Sequence, residues 1–166
     1  MPVPRSAPVI AIVLAAVAAC APDAPPPTPP IVPGTSAAPR DVNVIARDYV
    51  FNPSVLDLIP GETVNLHVIN GGLDVHEAII GDATVQDAWE AAEAAAADPP
   101  PGPTPAVSVA PDRAGLRIVV ESGQRVDVTW TVPLTSEAII VGCHIPGHWD
   151  KGMHIPVRFV GATPAP

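Results

Sequence analysis

After its first forty residues, the chain consists of short runs in which apolar and polar residues alternate, separated by turn residues. In the run Glu62–Asn70, for example, Val64, Leu66 and Val68 share one face, while His67 lies on the opposite, more polar face. A period of two predicts β-strands with one buried face. About seven or eight such runs follow one another, which is the count of a two-sheet Greek-key sandwich. The sequence therefore predicts an all-β, Greek-key β-sandwich over residues 41–161.

A helical segment interrupts this β pattern within residues 82–115. Thr84–Asp87 resembles a capping box, and Ala88–Ala97 is a run of strong helix formers that ends at a proline-rich stretch. We therefore expect a short helix and a Pro-rich loop inserted between strands. Its acidic residues are expected to solvate a surface helix, with docking of a partner protein as the alternative: Asp87, Glu90 and Glu93.

Residues 1–20 have the layout of a secretory signal, with Arg5 ahead of the apolar run Pro8–Ala19. This run is too short to span a bilayer. It ends in Val17–Cys20, which resembles the bacterial lipobox, in which the cysteine carries lipid and becomes the mature N-terminus. We predict a lipoprotein-type signal peptide with lipid on Cys20. An ordinary signal peptide or an uncleaved anchor is the alternative.

Residues 21–40 are rich in proline and poor in bulky apolar residues, which favours extended polyproline II structure. At about 3.1 Å per residue, such a linker could hold a domain on the order of 60 Å from a membrane. A role as an SH3-type ligand is the alternative, and export makes it unfavourable. We expect an exported domain, lipid-anchored at the outer face of the cell membrane or located in the periplasm.

The formal net charge of −9, with only eight Lys and Arg residues, excludes nucleic acid as an expected partner. Binding to phosphates requires clustered basic side chains, and the basic residues here are dispersed.

The chain contains two cysteines, Cys20 and Cys143. If Cys20 carries lipid, Cys143 has no disulfide partner and is a free thiol in an oxidising compartment, where it would be damaged unless protected. A bound metal would protect it. The alternative is a Cys20–Cys143 disulfide.

The loop Cys143–Met153 gathers a thiol, an imidazole and a thioether, and it holds the only methionine besides Met1. Copper prefers such soft and borderline donors, and two neutral imidazoles, a thiolate and a weak axial thioether suit both Cu(II) and Cu(I). The loop offers Cys143, His148 and Met153, so a second imidazole must come from elsewhere. His76 is the best candidate, because it lies in a predicted strand whose neighbour could lie beside Cys143.

The pattern Cys143-x-x-Pro146-Gly147-His148-x-x-x-Gly152-Met153, preceded by a strand histidine, resembles the blue-copper cupredoxins, a family that includes plastocyanin, azurin and sulfocyanin. The resemblance covers roughly residues 41–160 without the inserted helix. It implies a cupredoxin-like fold, three strong copper ligands and one axial ligand: His76, Cys143, His148 and Met153. It also implies a small exported bacterial copper protein that exchanges single electrons with redox partner proteins.

Two positions beside these ligands bear on the resemblance. Many cupredoxins have Asn or Ser after the first histidine, where a hydrogen bond connects that strand to the ligand loop, but this chain has Glu77. We therefore expect another group to make that connection. The exposed edge of His148 is the family's usual electron port, and Trp149 beside it could shield the metal, form part of a docking patch or pack in the core. The spacing from Cys143 to His148 is longer than in plastocyanin.

The remaining candidate histidines, His144 and His154, are expected to be loop or surface residues. In multicopper oxidases histidines beside the cysteine lead to a trinuclear cluster, but that cluster needs several His-x-His pairs, and the chain has none. A mononuclear type 1 copper carrier is thus the first hypothesis. A copper chaperone or storage protein that hands over Cu(I) is the alternative, weakened by the single internal methionine. An enzyme with a second catalytic copper is not expected, given the length and the five histidines.

Overall fold

The computed structural model describes residues 31–97 and 107–161. The predicted signal peptide with Cys20, residues 21–30 of the predicted linker and residues 98–106 of the predicted insertion lie outside the described residues. The described part forms nine strands, one α-helix and one 3-10 turn: β1 Arg40–Arg47, β2 Val50–Asn52, β3 Leu56–Leu58, β4 Thr63–Asn70, β5 His76–Gly81, α1 Ala83–Ala97, the turn Pro111–Arg113, β6 Leu116–Val120, β7 Arg125–Thr131, β8 Ile140–Gly142 and β9 His154–Phe159.

These strands form two sheets, in the orders β2-β1-β4-β7 and β3-β9-β8-β5-β6. Neighbours in a sheet are mostly distant in sequence, since β1 pairs in parallel with β4 and β3 pairs in parallel with β9. The predicted all-β sandwich is confirmed. The strand count exceeds the prediction because three-residue strands such as β2 are too short to show an alternating pattern.

The core lies between the two sheets, and the predicted alternation in β4 is confirmed. Val64, Leu66 and Val68 are fully buried, whereas His67 is only partly covered and contacts Asp127 on the outer face. Burial of an aliphatic side chain of this size contributes roughly 1.5–3 kcal/mol relative to exposure. The inward faces of the strands therefore dominate the stability of the sandwich.

Strand β5 is buried on both faces. Ala78 and Ile80 pack in the core between the sheets, while Ile79 packs on the other side against Val85 and Trp89 of α1. The inserted helix therefore covers the outer face of the five-stranded sheet at its β5 strand. It does not project into solvent as a separate element.

Helix α1 begins at Ala83 and is capped by Asp82, whose carboxylate accepts hydrogen bonds from the backbone N–H groups of Thr84 (2.9 Å) and Val85 (3.1 Å). The predicted capping box at Thr84 and the predicted start at Ala88 are therefore wrong. Asp82 is the only residue between the end of β5 at Gly81 and the start of the helix at Ala83. Within the described ranges, no helix combines the length and the apolar character needed to cross a membrane.

The folded domain includes residues ahead of the predicted boundary at residue 41. The backbone N–H of Thr63 donates to the carbonyl of Gly34 at 3.0 Å, and Arg40 is the first residue of β1. A Cβ at Gly34 would lie 2.0 Å from the carbonyl oxygen of Thr63, so only glycine fits this close approach.

The carboxylate of Glu62 joins this early segment to the sheets from a buried position. It accepts hydrogen bonds from the Arg40 guanidinium Nε (2.9 Å) and from the backbone N–H groups of Ile59 (2.8 Å) and Gly34 (3.2 Å). Burial raises the pKa of Glu62, but these donors outweigh burial and hold the pKa below its usual value. Glu62 therefore remains ionised in the native state and connects three separate segments.

Glu62→Gln should lower the free energy of unfolding by about 3 kcal/mol, because it leaves the partly buried Arg40 without its counter-charge. Urea denaturation at pH 7 measures this. The matched control is Asp57→Asn, which removes a more exposed partner of Arg158 and should change stability by less than about 1 kcal/mol.

The same pair predicts a pH dependence. Since the native pKa of Glu62 is lowered, its contribution is complete above the unfolded-state pKa and is lost as the pH falls through the native pKa. Between about pH 5 and pH 3, Glu62→Gln should therefore lose less stability than the natural sequence. Equal losses in both proteins would contradict this assignment.

Candidate metal centre

Two neighbouring strands place the candidate ligands at one end of the sandwich. β5 and β8 pair antiparallel, with Ile79 opposite Gly142, so the start of β5 lies beside the end of β8. His76 is the first residue of β5, and Cys143 directly follows β8. The strand that begins with His76 thus lies next to the strand that precedes Cys143, as the sequence analysis expected.

Three nitrogen and sulfur donors converge in this region. His76 Nδ1 lies 3.3 Å from His148 Nδ1, and Cys143 Sγ also lies 3.3 Å from His148 Nδ1. All three donor atoms lie within 4.8 Å of one another. His76 and Cys143 are fully buried, and His148 is 6% exposed. Of the sequence-predicted ligands, these three form one buried cluster from which solvent is largely excluded.

The loop that carries Cys143 and His148 closes on itself through its backbone. Met153 N–H donates to the carbonyl of His148 at 3.2 Å, and Cys143 N–H donates to the carbonyl of Met153 at 3.1 Å. Gly147 and Gly152 have φ values of +80° and +91°, a region that favours glycine, so they permit the two tight turns. Met153 is fully buried in the same core as Cys143. The predicted axial residue is therefore joined to Cys143 through the backbone and packs in the same core.

The Cys143 thiol is protonated at neutral pH in the absence of a cation. Burial raises its pKa to about 11, while hydrogen bonds from the backbone N–H groups of Glu77 and Ile145 oppose the shift. A metal ion replaces the thiol proton on binding, because only the thiolate is a ligand. The two amide donors are already directed at the sulfur that would then carry negative charge.

Burial lowers the pKa of His148, and the electrostatic influence of His76 and Lys151 lowers it further, which favours the neutral imidazole. The ring of Tyr49 packs edge-on against it at 4.7 Å between ring centroids, and the Lys151 ammonium lies 3.4 Å from the centroid of Tyr49. Only a small part of His148 therefore reaches solvent. Sequence reasoning did not identify Tyr49, because it lies in the distant β1–β2 turn.

Glu77 connects β5 to the ligand loop, contrary to the expectation that another group would be required. Its side chain is fully buried; Oε1 accepts a hydrogen bond from the backbone N–H of His144 (3.1 Å), and Oε2 accepts one from Arg117 Nε (2.8 Å). Arg117 lies on β6, the neighbour of β5, and supplies the counter-charge that a buried carboxylate needs. The sequence pattern did not place Arg117 beside Glu77.

His144 lies in the loop after β8, as predicted, but it is buried, with 2% of its surface exposed, so it is not a surface residue. Its Nδ1 lies 2.7 Å from a Glu90 carboxylate oxygen, and its Nε2 lies 2.7 Å from Gln86 Oε1. The Gln86 side-chain amide in turn donates to the carbonyls of Ile79, Gly81 and Ile140. Helix α1 therefore fastens the residue that follows Cys143.

The predicted acidic residues of α1 are not all exposed to solvent. Glu90 contacts His144, and Glu93 is buried beside Arg117 at 3.2 Å. Burial and the nearby Glu77 charge raise the pKa of Glu93. Asp87 remains exposed, as predicted. The helix thus directs two of its three predicted acidic residues towards the domain.

Trp149 is half-buried and stacks between His144 and the exposed His154, at centroid distances of 4.7 and 4.5 Å. A Cβ at Gly142 would lie 2.6 Å from the Trp149 ring, so the indole packs directly on the residue before Cys143. Of the three roles considered for Trp149, the structure shows packing against neighbouring residues. The surface position predicted for His154 agrees with its exposure.

Glu77→Ala should lower the free energy of unfolding by about 3 kcal/mol, because it removes a buried ion pair and leaves the His144 amide without its acceptor. It should also accelerate hydrogen exchange of the His144 amide, measured by NMR. The matched control is Glu121→Ala, an exposed acidic residue at the end of β6 that should change neither quantity appreciably. Unchanged His144 exchange in Glu77→Ala would contradict the connection described here.

Comparison with known proteins supports the same architecture, although no family model matches the chain. The chain is 26% identical over 135 residues to the copper-resistant cuproprotein CopI of Pseudomonas aeruginosa, and the alignment covers 70% of this chain and 74% of CopI.

Two solved structures superpose on about three quarters of this chain. Reduced auracyanin from the photosynthetic bacterium Roseiflexus castenholzii superposes with a TM-score of 0.58 at 17% identity, over 77% of this chain and 100% of auracyanin. Auracyanin A, a "blue" copper protein from Chloroflexus aurantiacus, superposes with a TM-score of 0.57 at 19% identity, over 74% of this chain and 100% of its own. The resemblance predicted from the loop Cys143–Met153 is thus confirmed at the level of the fold: the chain has a cupredoxin-like fold.

Proposed function

We propose that this protein binds one copper ion through His76, Cys143 and His148, with Met153 as a weak axial ligand. In this proposal it carries single electrons between redox partner proteins outside the cytoplasmic membrane, with no catalytic step. The observation that carries the proposal is the convergence of two imidazole nitrogens and one thiol sulfur in a buried pocket.

The donor set fits copper. Separations of 3.3 Å between donor atoms are close to those of ligands that each lie about 2 Å from one shared ion. Zinc accepts the same nitrogen and sulfur donors, but a thioether as an additional ligand favours copper, which uses His, Cys and a weak Met in electron-transfer sites. The buried Met153 is therefore the feature that distinguishes the two metals.

Hydrogen bonds that do not involve a metal ion hold the donors in place. Glu77 connects β5 to the ligand loop, and Gln86 and Glu90 hold His144 beside Cys143. A copper ion held there would take up and release one electron by alternating between Cu(II) and Cu(I). Prearranged dipoles in a water-excluded site need little rearrangement when charge changes, which favours rapid transfer.

Copper handling is the second candidate function. It is favoured by one observation, the 26% identity to a protein whose name is copper-resistant cuproprotein. In that role, the same residues would store Cu(I) or deliver it to another protein. The "blue" copper protein auracyanin A, by contrast, shares the fold and supports the electron-carrier proposal. The two roles differ in the colour of the oxidised protein and in how readily the metal exchanges.

The proposed location rests on the sequence of residues 1–20, with its lipobox-like end at Cys20. A lipid there and the proline-rich segment after it would keep the domain near the outer face of the membrane. Redox partners would then reach it in the periplasm or at the cell surface.

Cu(II) added to the full chain should give an intense visible band from charge transfer between the Cys143 thiolate and copper, together with reversible one-electron voltammetry. Cys143→Ser should abolish the band, because a hydroxyl does not supply the sulfur orbital. The control is His67→Asn on the opposite sheet, which should retain it. Absorption spectroscopy measures both variants.

Other outcomes would contradict the proposal. A colourless complex with readily exchanged copper would exclude electron transfer by a type 1 site and favour copper handling. Colour that persists in Cys143→Ser would show that the assignment of the sulfur ligand is wrong.

Mass spectrometry of the protein from its native host should show a mature N-terminus at Cys20 with a lipid mass added. Cys20→Ser should remove this mass and release the protein from membranes, since the lipid is the proposed anchor. A mature protein that begins at another residue without lipid would contradict the lipoprotein prediction.

A further inference from the structure

A carboxylate contacts His76 on the side of the ring that faces away from the other donors. Asp48 Oδ1 lies 2.7 Å from His76 Nε2, whereas His76 Nδ1 faces His148. Asp48 lies in the turn between β1 and β2, 28 residues before His76 in the sequence. Neither the spacing of the motif nor the family resemblance points to it.

Asp48 is held in this position as an ionised acceptor. Its Oδ2 accepts a hydrogen bond from the backbone N–H of Leu73 (2.8 Å), and its Oδ1 accepts one from that of Asp74 (3.3 Å). Because a carboxylate oxygen accepts hydrogen bonds, this contact favours the neutral tautomer of His76 that carries its proton on Nε2 and a lone pair on Nδ1.

The contact between Asp48 and His76 also depends on a glycine. A Cβ at Gly72 would lie 2.3 Å from Asp48 Oδ1 and 2.9 Å from His76 Nε2, so a larger residue would separate the two. Gly72 itself is held by Asn70, whose Oδ1 accepts its N–H at 2.8 Å, and by Ser122, whose hydroxyl donates to its carbonyl at 2.7 Å. Asn70 and Ser122 thus hold Gly72 where it leaves space for the hydrogen bond between Asp48 and His76.

We propose that Asp48 is a positioning residue for the metal centre: it fixes the tautomer and orientation of His76, and its negative charge favours Cu(II) over Cu(I), which lowers the reduction potential. This inference rests on the proposed function. A carboxylate bonded to the far nitrogen of a ligand histidine makes the ligand more basic, and a more basic ligand stabilises the more highly charged ion.

The first test is Asp48→Asn in the full, copper-loaded chain. The amide keeps the size of the side chain but removes its charge. Loss of such a partner lowers metal affinity roughly 10- to 100-fold. We expect Cu(II) affinity to fall about tenfold relative to Cu(I) affinity, which equals a rise of about 59 mV in the one-electron potential measured by voltammetry.

The matched control is Asp74→Asn. It removes the same charge close to the site, where Asp74 accepts a hydrogen bond from the Tyr49 hydroxyl at 2.6 Å without contacting His76. A rise in potential no larger in Asp48→Asn than in Asp74→Asn would overturn the proposal, because it would show only a general effect of charge.

Gly72→Ala supplies a second variant that keeps the charge at position 48. The added methyl group should displace the carboxylate from His76 and raise the potential in the same direction, while the visible band persists because all ligands remain. An unchanged potential in Gly72→Ala, with the protein folded, would count against the contact as its cause.

The last measurement needs no copper. Nitrogen-15 NMR of the metal-free protein should show His76 as the Nε2–H tautomer, with the Nδ1–H tautomer appearing in Asp48→Asn. A predominant Nδ1–H tautomer in the natural sequence would overturn the proposal. If the natural protein develops no visible band with Cu(II), the proposed function fails, while the NMR result still decides whether Asp48 fixes His76.

Discussion

The buried carboxylate of Glu77 is the contact on which the candidate metal centre depends most. It connects the strand that begins with His76 to the amide that follows Cys143, and Arg117 balances its charge. An ionised group in such a place is unstable without partners, so the fold must bring β6 beside β5. The arginine also contacts Glu93 and lies over the ring of Trp89, which links the centre to helix α1. Stability and site geometry are therefore coupled through one ion pair.

Polar side chains surround the three candidate ligands in a consistent way. Asp48 contacts the far side of His76, and Gln86 and Glu90 hold the histidine next to Cys143. Among the described residues, every buried side-chain nitrogen and oxygen has a hydrogen-bond partner. Satisfied polar networks of this kind give a buried region one arrangement rather than several. The donors are thus prearranged in the protein itself.

Much of the fold and of the candidate site could be predicted from local patterns. Alternation in β4 identified the sandwich, and the two rare sulfur residues in one loop identified Cys143 and Met153. The predictions were wrong where the neighbours of a residue are contributed by distant parts of the sequence. His144 was expected to be a loop or surface residue. It lies in a loop, but the inserted helix covers it, and no local pattern specifies which sheet face a helix will cover. Likewise, Asp82 rather than Thr84 caps α1 because the turn after β5 is so short.

The sequence by itself determined the two-sheet β-sandwich and the types of donor that the ligand loop offers. Both follow from residue chemistry and from periodicities of a few residues, which are properties of neighbouring positions. The tertiary structure alone decided that Glu77 is compatible with the site, since its charge is balanced by Arg117, 40 residues away in sequence. It alone also placed Asp48 against His76, with Gly72 leaving the space between them. Such partners become neighbours only when strands pair, because hydrogen bonds between distant segments leave no periodic trace in the sequence.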